Sequence, residues 1–242
     1  MQGEGTLAMS IYGRLRRDIL TGVFEPGERL PLDPLGAHYG VGLTPLREAL
    51  NRLSAEELVM REGKRGFCVT PVSLADLADL TESLCGIVGL ALRQSIARGD
   101  ETWEEGVVVA AHRLARLARR GPTPETGFEP EWERCHRAFH ASLIAASGVQ
   151  RINAFYITLL DRYERYAYLG LDASARWPRD AIAEHEAILD AVLARDAERA
   201  IGLSQEHIRH TSALVSAAWA AVPAPDGGHG AKTARNALVT AD

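Results

Sequence analysis

Between residues 58 and 72 the chain reads LVMREGKRGFCVTPV, and here the apolar pattern changes period. Two short apolar runs flank a turn rich in Gly, Lys and Arg, which predicts a β-hairpin with a basic tip. The flanking segments repeat at helical spacing instead. A mainly α chain interrupted by one small basic hairpin is the constraint that most narrows the fold.

The segments ahead of the hairpin give it a context. Residues 8–22, AMSIYGRLRRDILTG, place Ile11, Leu15, Ile19 and Leu20 on one side of a helix and Arg14, Arg16 and Arg17 on the other. Gly22 is placed to end that helix. FEPGERL reads as a turn centred on Pro26-Gly27. PLDPLGAHYG predicts a short helix with Asp33 as N-cap and Pro34 in its first position. After the tight turn VGL, a third helix is expected to open at Thr44-Pro45, Thr44 capping it and Glu48 helping to satisfy its first turn.

Helix, short helix, tight turn, helix and basic-tipped hairpin is the order of a winged helix-turn-helix, expected over 8–72 with residues 1–7 as a flexible lead. Such a unit puts the third helix in the DNA major groove. There its first amides and Arg47 face the duplex, while Lys64 and Arg65 of the wing reach neighbouring phosphates or the minor groove. A small protein-docking domain with solvated arginines is the alternative reading of the same pattern.

Charge is compatible with this division. The net charge is −5, which argues against a general polyanion binder. Residues 1–70 hold 9 of the 27 basic and 9 of the 32 acidic residues, so the remainder carries the whole deficit. A nucleic-acid surface therefore belongs in the first part. No apolar run approaches the roughly 20 residues of a membrane span, and no leader pattern opens the chain, so a cytoplasmic location is expected. The three cysteines, Cys68, Cys85 and Cys135, are too scattered for a disulfide framework and read as reduced core thiols.

From residue 73 to about 220 the pattern is helical throughout. Segments near 73–98, 101–119, 129–147, 149–170, 178–194 and 197–219 are punctuated by Gly99, Gly121-Pro122, Gly148 and Gly170. They predict an all-α helical bundle wide enough to hold a site between its helices. The stretch 221–242, rich in Pro, Gly and Ala, is expected to be a disordered tail.

Eight histidines are available to such a bundle. His136 and His140, in CHRAFH, are spaced i, i+4 on one helix face; alone, that spacing more often decorates an amphipathic helix than binds an ion. His185 and His207 lie symmetrically about residue 196, next to which ARDAER predicts a helical hairpin with Asp196 as N-cap. An antiparallel fold there brings those two side chains to one level, so that three helices offer four imidazoles to a common centre. His210 competes with His207 for the last position.

Four neutral ligands would leave a divalent cation uncompensated, so Glu133, on the face of His136 and His140, is a candidate to offset that charge or to bond a ligand from behind. The donor set suits a divalent transition metal such as zinc or nickel. A metal-dependent enzyme built on the bundle is the rival from another class, but no HExxH-type base accompanies the histidines and the winged helix would then go unexplained. A regulator whose histidines form a purely structural metal site is the other alternative.

With these residues assembled, the chain resembles GntR-type transcription regulators of the FadR subgroup, which carry a C-terminal effector-binding FCD domain. The resemblance covers about 8–215. It rests on IYGRLRRDILTGVFEPGERL, TPLREALNRLSAEELV and KRGFCV in the first part, and on FHASLIAASG and EHEAILDAVLARDAERAIGLSQEHI in the second. EWERCHRAFH is most similar to regulators of glutarate and carbon-starvation genes.

The resemblance implies a homodimer on a pseudo-palindromic double-stranded operator, more often a repressor than an activator, responding to a small carboxylate effector. It implies DNA contacts from Thr44, Arg47, Lys64, Arg65 and Gly66, and metal ligands at His140, His185 and His207. His136 stands where most FCD proteins have aspartate. Leu43 replaces a common arginine before TPLREAL. Leu84 and Val88 replace an arginine and a glutamate, of which the arginine commonly meets the effector. Arg165 and Tyr166 are candidates for a substitute anchor, with a solvated helix face as the alternative.

Overall fold

The computed structural model describes residues 2–63, 66–118, 130–170 and 179–221. These divide into two compact units, the boundary falling between Leu74 and Ala75.

In the first unit, α1 (Gln2–Leu20) lies along α3 (Leu43–Ala55), and α2 (Leu32–Tyr39) packs on α3 as well. Ile11, Leu15, Ile19 and Leu20 supply the buried face of α1, and Leu46, Ala49, Leu50 and Leu53 that of α3. The apolar stripe drives the contact and aromatic–arginine pairs lock its rim. The Arg52 guanidinium sits 4.2 Å over the Tyr12 ring, whose hydroxyl donates to Glu56 at 2.8 Å. The Arg14 guanidinium lies 4.8 Å over the Tyr39 ring. Gly22, at φ 76°, closes α1: the Val23 amide reaches back to the Asp18 carbonyl at 2.8 Å.

Three local expectations need correction. First, α1 begins at Gln2, so residues 2–7 extend the helix rather than forming a flexible lead to it. Second, Asp33 does not cap α2. Pro31 is the N-cap and its carbonyl accepts the Leu35 amide at 3.1 Å, leaving Asp33 and Pro34 inside the first turn. Third, α3 starts after Gly42, so Thr44 and Pro45 also fall in the first turn. The physical reason is shared: amides in a first helical turn have no intrahelical acceptor, so proline loses nothing there and does not mark the boundary closely.

The hairpin forms as β2 (Val59–Arg61) and β3 (Phe67–Val69), and residues 64 and 65 at its tip lie outside the described residues. A third strand, β1 (Arg29–Leu30), pairs antiparallel with β3 on the side away from β2. The sequence reading placed only a turn there. Two residues are too few to display an alternating pattern, and pairing with β3 is what makes them a strand.

The second unit comprises α4 (Leu74–Arg98), α5 (Glu101–Ala118), α6 (Pro130–Leu143), α7 (Gln150–Gly170), α8 (Arg179–Leu193) and α9 (Ala197–Ala221). α5 packs on α6 and α8, α7 on α9, and α8 folds back on α9. Residues 119–129, 171–178 and 222–242, which include the long 121–128 loop and the expected tail, lie outside the described residues. Among the described residues no helix is long and apolar enough to cross a membrane.

The turn between α8 and α9 is only three residues. Arg195 takes the left-handed conformation (φ 56°) usual for glycine, and the Asp196 amide bonds the Ala191 carbonyl at 3.0 Å. A non-glycine residue there costs on the order of 1 kcal/mol or more. The Arg195 side chain offsets that cost with a 2.5 Å ion pair to Glu104, a 2.8 Å hydrogen bond to the Ile96 carbonyl and a seat over the Trp103 ring. Asp196 caps α9, its Oδ1 accepting the Arg199 amide at 3.1 Å.

The α1–α3 seam yields a direct expectation. Leu50→Ala truncates a fully buried side chain and should cost about 2–5 kcal/mol. Urea unfolding followed in the first unit reads this as a lowered midpoint; a change below about 0.5 kcal/mol contradicts it.

Candidate metal centre

α6 carries His136 and His140 one turn apart on its inner face, α8 carries His185 and α9 carries His207. One nitrogen from each of the four rings falls within a cluster no wider than 4.8 Å. The α8–α9 turn brings the His185 and His207 rings to 4.6 Å between centroids, and His140 lies 5.2 Å from His185. Phe139 is fully buried and braces two of the rings, at 5.3 Å from His140 and 5.2 Å from His185. Trp132 stacks on His136 at 4.5 Å, nearly parallel.

Two carboxylates set the tautomers. Glu164 Oε1 accepts from His136 Nδ1 at 2.8 Å, and Glu184 Oε2 accepts from His207 Nδ1 at 2.6 Å. Since an ionised carboxylate only accepts, each imidazole keeps its proton on Nδ1 and turns the Nε2 lone pair inward. His140 Nε2 lies 3.1 Å from His136 Nε2. Nitrogens bound to one ion at about 2.0–2.1 Å are about 3 Å apart when the angle between them is near a right or tetrahedral angle. Among the described residues, the buried His185 Nε2 has no hydrogen-bond partner, a costly state for a lone imidazole nitrogen and an ordinary one for a metal ligand. The four residues therefore fit a divalent metal, and their all-imidazole chemistry suits a transition ion rather than magnesium or calcium.

Burial holds these rings neutral, as ligation requires. It pushes His136 down to about 4. It takes His140 and His185 well below the usual imidazole range, with repulsion from neighbouring imidazoles adding to the effect. His207 is lowered by burial too, partly opposed by its hydrogen bond to Glu184. Burial raises the Glu184 carboxyl, yet bonds from His207 and His210 outweigh that and leave it below its ordinary value.

A cavity with about 80 Å³ of water-accessible room adjoins the cluster. Its wall includes Trp132, Tyr156, Leu160, Tyr163, Glu164, Ala167, Ile208 and Leu214 besides the four histidines. On α7, positions 160, 163, 164 and 167 are one i, i+3, i+4, i+7 stripe. Arg165 and Tyr166 are rotated off that stripe and do not line the cavity. Tyr166 instead donates to Asp76 at 2.5 Å and packs on Trp219, while burial lowers Arg165 to about 10. Neither is a solvated surface residue, contrary to the other reading of the pair.

His210 is 43% exposed and bonds the second oxygen of Glu184 at 2.6 Å, which leaves it outside the cluster. The Glu133 side chain lies outside the described residues. Sequence reading missed Glu164 and Glu184. Glu164 gave no signal, being twenty-eight residues from its partner. Glu184 had one: the hairpin symmetry that pairs 185 with 207 sets 184 at the level of 208, within one turn of 207 and 210. In the first unit Thr44 and Arg47 are both exposed on one face of α3, as is Leu43, and Gly66 has φ 94° beside the wing tip. Lys64 and Arg65 are outside the described residues.

Metal-free protein should lose stability as pH falls below about 6.5. The folded pKa of His136 lies below the unfolded one, so the unfolded chain takes up a proton that the folded chain refuses until about pH 4. This one group contributes on the order of 1.4 kcal/mol per pH unit within that window. Urea midpoints of chelator-treated protein at about pH 7.5 and pH 5 measure the slope. His136→Gln should flatten it, and an unchanged slope contradicts the assignment.

Comparison with known proteins gives this geometry its setting. Residues 7–69 match the bacterial regulatory proteins of the gntR family, and residues 79–210 match the FCD domain. The chain is 38% identical over 210 residues to BphR of Paraburkholderia xenovorans (strain LB400), an uncharacterized HTH-type transcriptional regulator, covering 87% of this chain and 85% of BphR. It is 32% identical over 212 residues to the HTH-type transcriptional repressor GlaR of Escherichia coli (strain K12), covering 86% and 96%. Its fold is similar to that of Escherichia coli McbR/YncC, with a TM-score of 0.70 at 19% identity over 87% of this chain and 97% of that one. Relatives and domains alike are those of regulators, so the histidine-lined bundle is not that of an enzyme. The chain belongs to the GntR family of bacterial transcriptional regulators, with a winged helix-turn-helix followed by an FCD domain.

Proposed function

We propose that the chain is a homodimeric, cytoplasmic repressor whose FCD domain binds a small carboxylate at or near a divalent transition metal, zinc or nickel, held by His136, His140, His185 and His207. Residues 8–72 serve as the DNA-binding domain and 73–220 as the effector domain. The convergence of four neutral imidazoles beside a cavity carries the reading. A metal held there supplies a Lewis-acidic position for a carboxylate oxygen. The repressor sense is borrowed from the name of GlaR.

On the DNA side, Thr44 and Arg47 of α3 would read or position at the major groove, and Lys64, Arg65 and Gly66 would contact the duplex from the wing. An arginine to guanine supplies about 1–3 kcal/mol of discrimination, whereas a lysine to phosphate supplies affinity alone. Two such units in a dimer read a pseudo-palindromic operator.

Coupling runs through α9. His207 lies two residues after Gln205, whose side-chain amide donates to the Cys85 carbonyl of α4 at 2.9 Å. Two turns after Gln205, Ser212 Oγ accepts from the Thr81 hydroxyl of α4 at 3.0 Å. α4 follows the wing directly in the chain, so a shift of α9 on ligand binding biases the element from which the DNA-binding unit continues. About 1–3 kcal/mol of differential affinity is enough to change operator occupancy.

Two measurements test this. Metal analysis of purified protein should find close to one ion per chain, and His140→Ala and His185→Ala should each abolish both the metal and the response to carboxylates. Retention of both through both substitutions rejects the ion-centred reading. Footprinting across the upstream region of the chain's own gene should show paired half-sites whose protection weakens steeply with salt and is lost in Arg47→Ala. Uniform or absent protection by folded protein rejects the DNA reading.

A further inference from the structure

We infer that the cavity selects a monocarboxylate with an apolar, preferably aromatic, body and discriminates against dicarboxylates. The inference rests on the metal-and-carboxylate reading above and adds what the far end of the effector must be.

Away from the histidines, rings and aliphatic side chains such as Trp132, Tyr156, Leu160, Tyr163, Ile208 and Leu214 dominate the wall, with Tyr168 and Thr211 also on it. Tyr163 spends its hydroxyl on the Ile208 carbonyl and so presents ring rather than donor. Trp132, held flat against His136, offers a second planar surface close to the metal position. Rings so arranged favour a flat apolar partner. Among the described residues lining the cavity there is no lysine or arginine, and the one carboxylate on the wall is that of Glu164.

The positions at which the resemblance places an effector-binding arginine and its partner carry Leu84 and Val88, both fully buried on α4. The candidate substitute, Arg165, does not line the cavity. A dicarboxylate would bring its first carboxylate to the metal and leave the second in this wall, desolvated and facing no cation among the described residues. An apolar body loses nothing polar and gains from leaving water. Specificity here comes as much from the penalty on the wrong ligand as from contacts with the right one.

Calorimetry on full-length, zinc-loaded protein with matched probes tests the inference: 3-phenylpropanoate and hexanoate against glutarate and adipate, with 3-phenylpropanol as the neutral control. The monocarboxylates should bind at least tenfold more tightly than the dicarboxylates, with the alcohol silent and binding lost after zinc removal. Dicarboxylates binding as tightly as the monocarboxylates overturn this inference while leaving the metal-and-carboxylate reading in place. Binding of no carboxylate, binding that survives zinc removal, or an alcohol as tight as its acid overturns that reading instead. Leu214 is only half-buried, so Leu214→Arg can add a cation to the wall without emptying the core. It should raise glutarate affinity at least tenfold; a folded Leu214→Arg protein with no such gain overturns the claim that the missing cation sets the selectivity.

Discussion

The three-residue turn between α8 and α9 is the constraint on which the histidine cluster depends. It sets the register of the two helices, and a slip of one residue would rotate a side chain by about 100° and carry His207 away from His185. Arg195 makes the turn possible in an unusual way. A glycine would adopt the left-handed backbone at no cost but would hold nothing. Arginine accepts the strain and ties the turn to Glu104, Ile96 and Trp103, which belong to α5 and α4. The tip of the hairpin is thereby anchored at one end of the bundle, and its register is transmitted to the site farther along both helices.

Around the cluster the electrostatics are arranged one layer out. All four inward groups are neutral imidazoles, and the negative charge sits behind two of them on Glu164 and Glu184. A cation held between the rings would feel those carboxylates through the imidazoles they orient. His136 brings no charge of its own, and the carboxylate behind it is that of Glu164. That carboxylate also lies on the cavity wall, where it affects what else can bind.

α9 links this chemistry to the rest of the bundle. It presents His207 inward, bonds α4 through Gln205 and Ser212, and shares Glu184 between His207 and the exposed His210. A helix that carries a ligand on one face and interhelical hydrogen bonds on another cannot shift at the first without stressing the second. Neither face requires an unusual residue. What matters is their phase, and 3.6 residues per turn fixes that.

By itself the sequence determined the order of elements: helices read from spacing, a hairpin read from a change of period, and a helical bundle punctuated by glycines. It also carried the pairing of His185 with His207, because symmetry about Asp196 is a property of chain position alone. Local sequence did not decide where α2 and α3 begin, since proline fits several places in a first turn, or that Arg29 and Leu30 form a strand, since only β3 makes them one. Tertiary structure chose His207 over His210, brought Glu164 to His136 across an interval that no helical period spans, and turned Arg165 and Tyr166 away from the cavity. Each of these depends on which face of a helix meets which neighbour. Periodicity defines such faces, but packing alone assigns them partners.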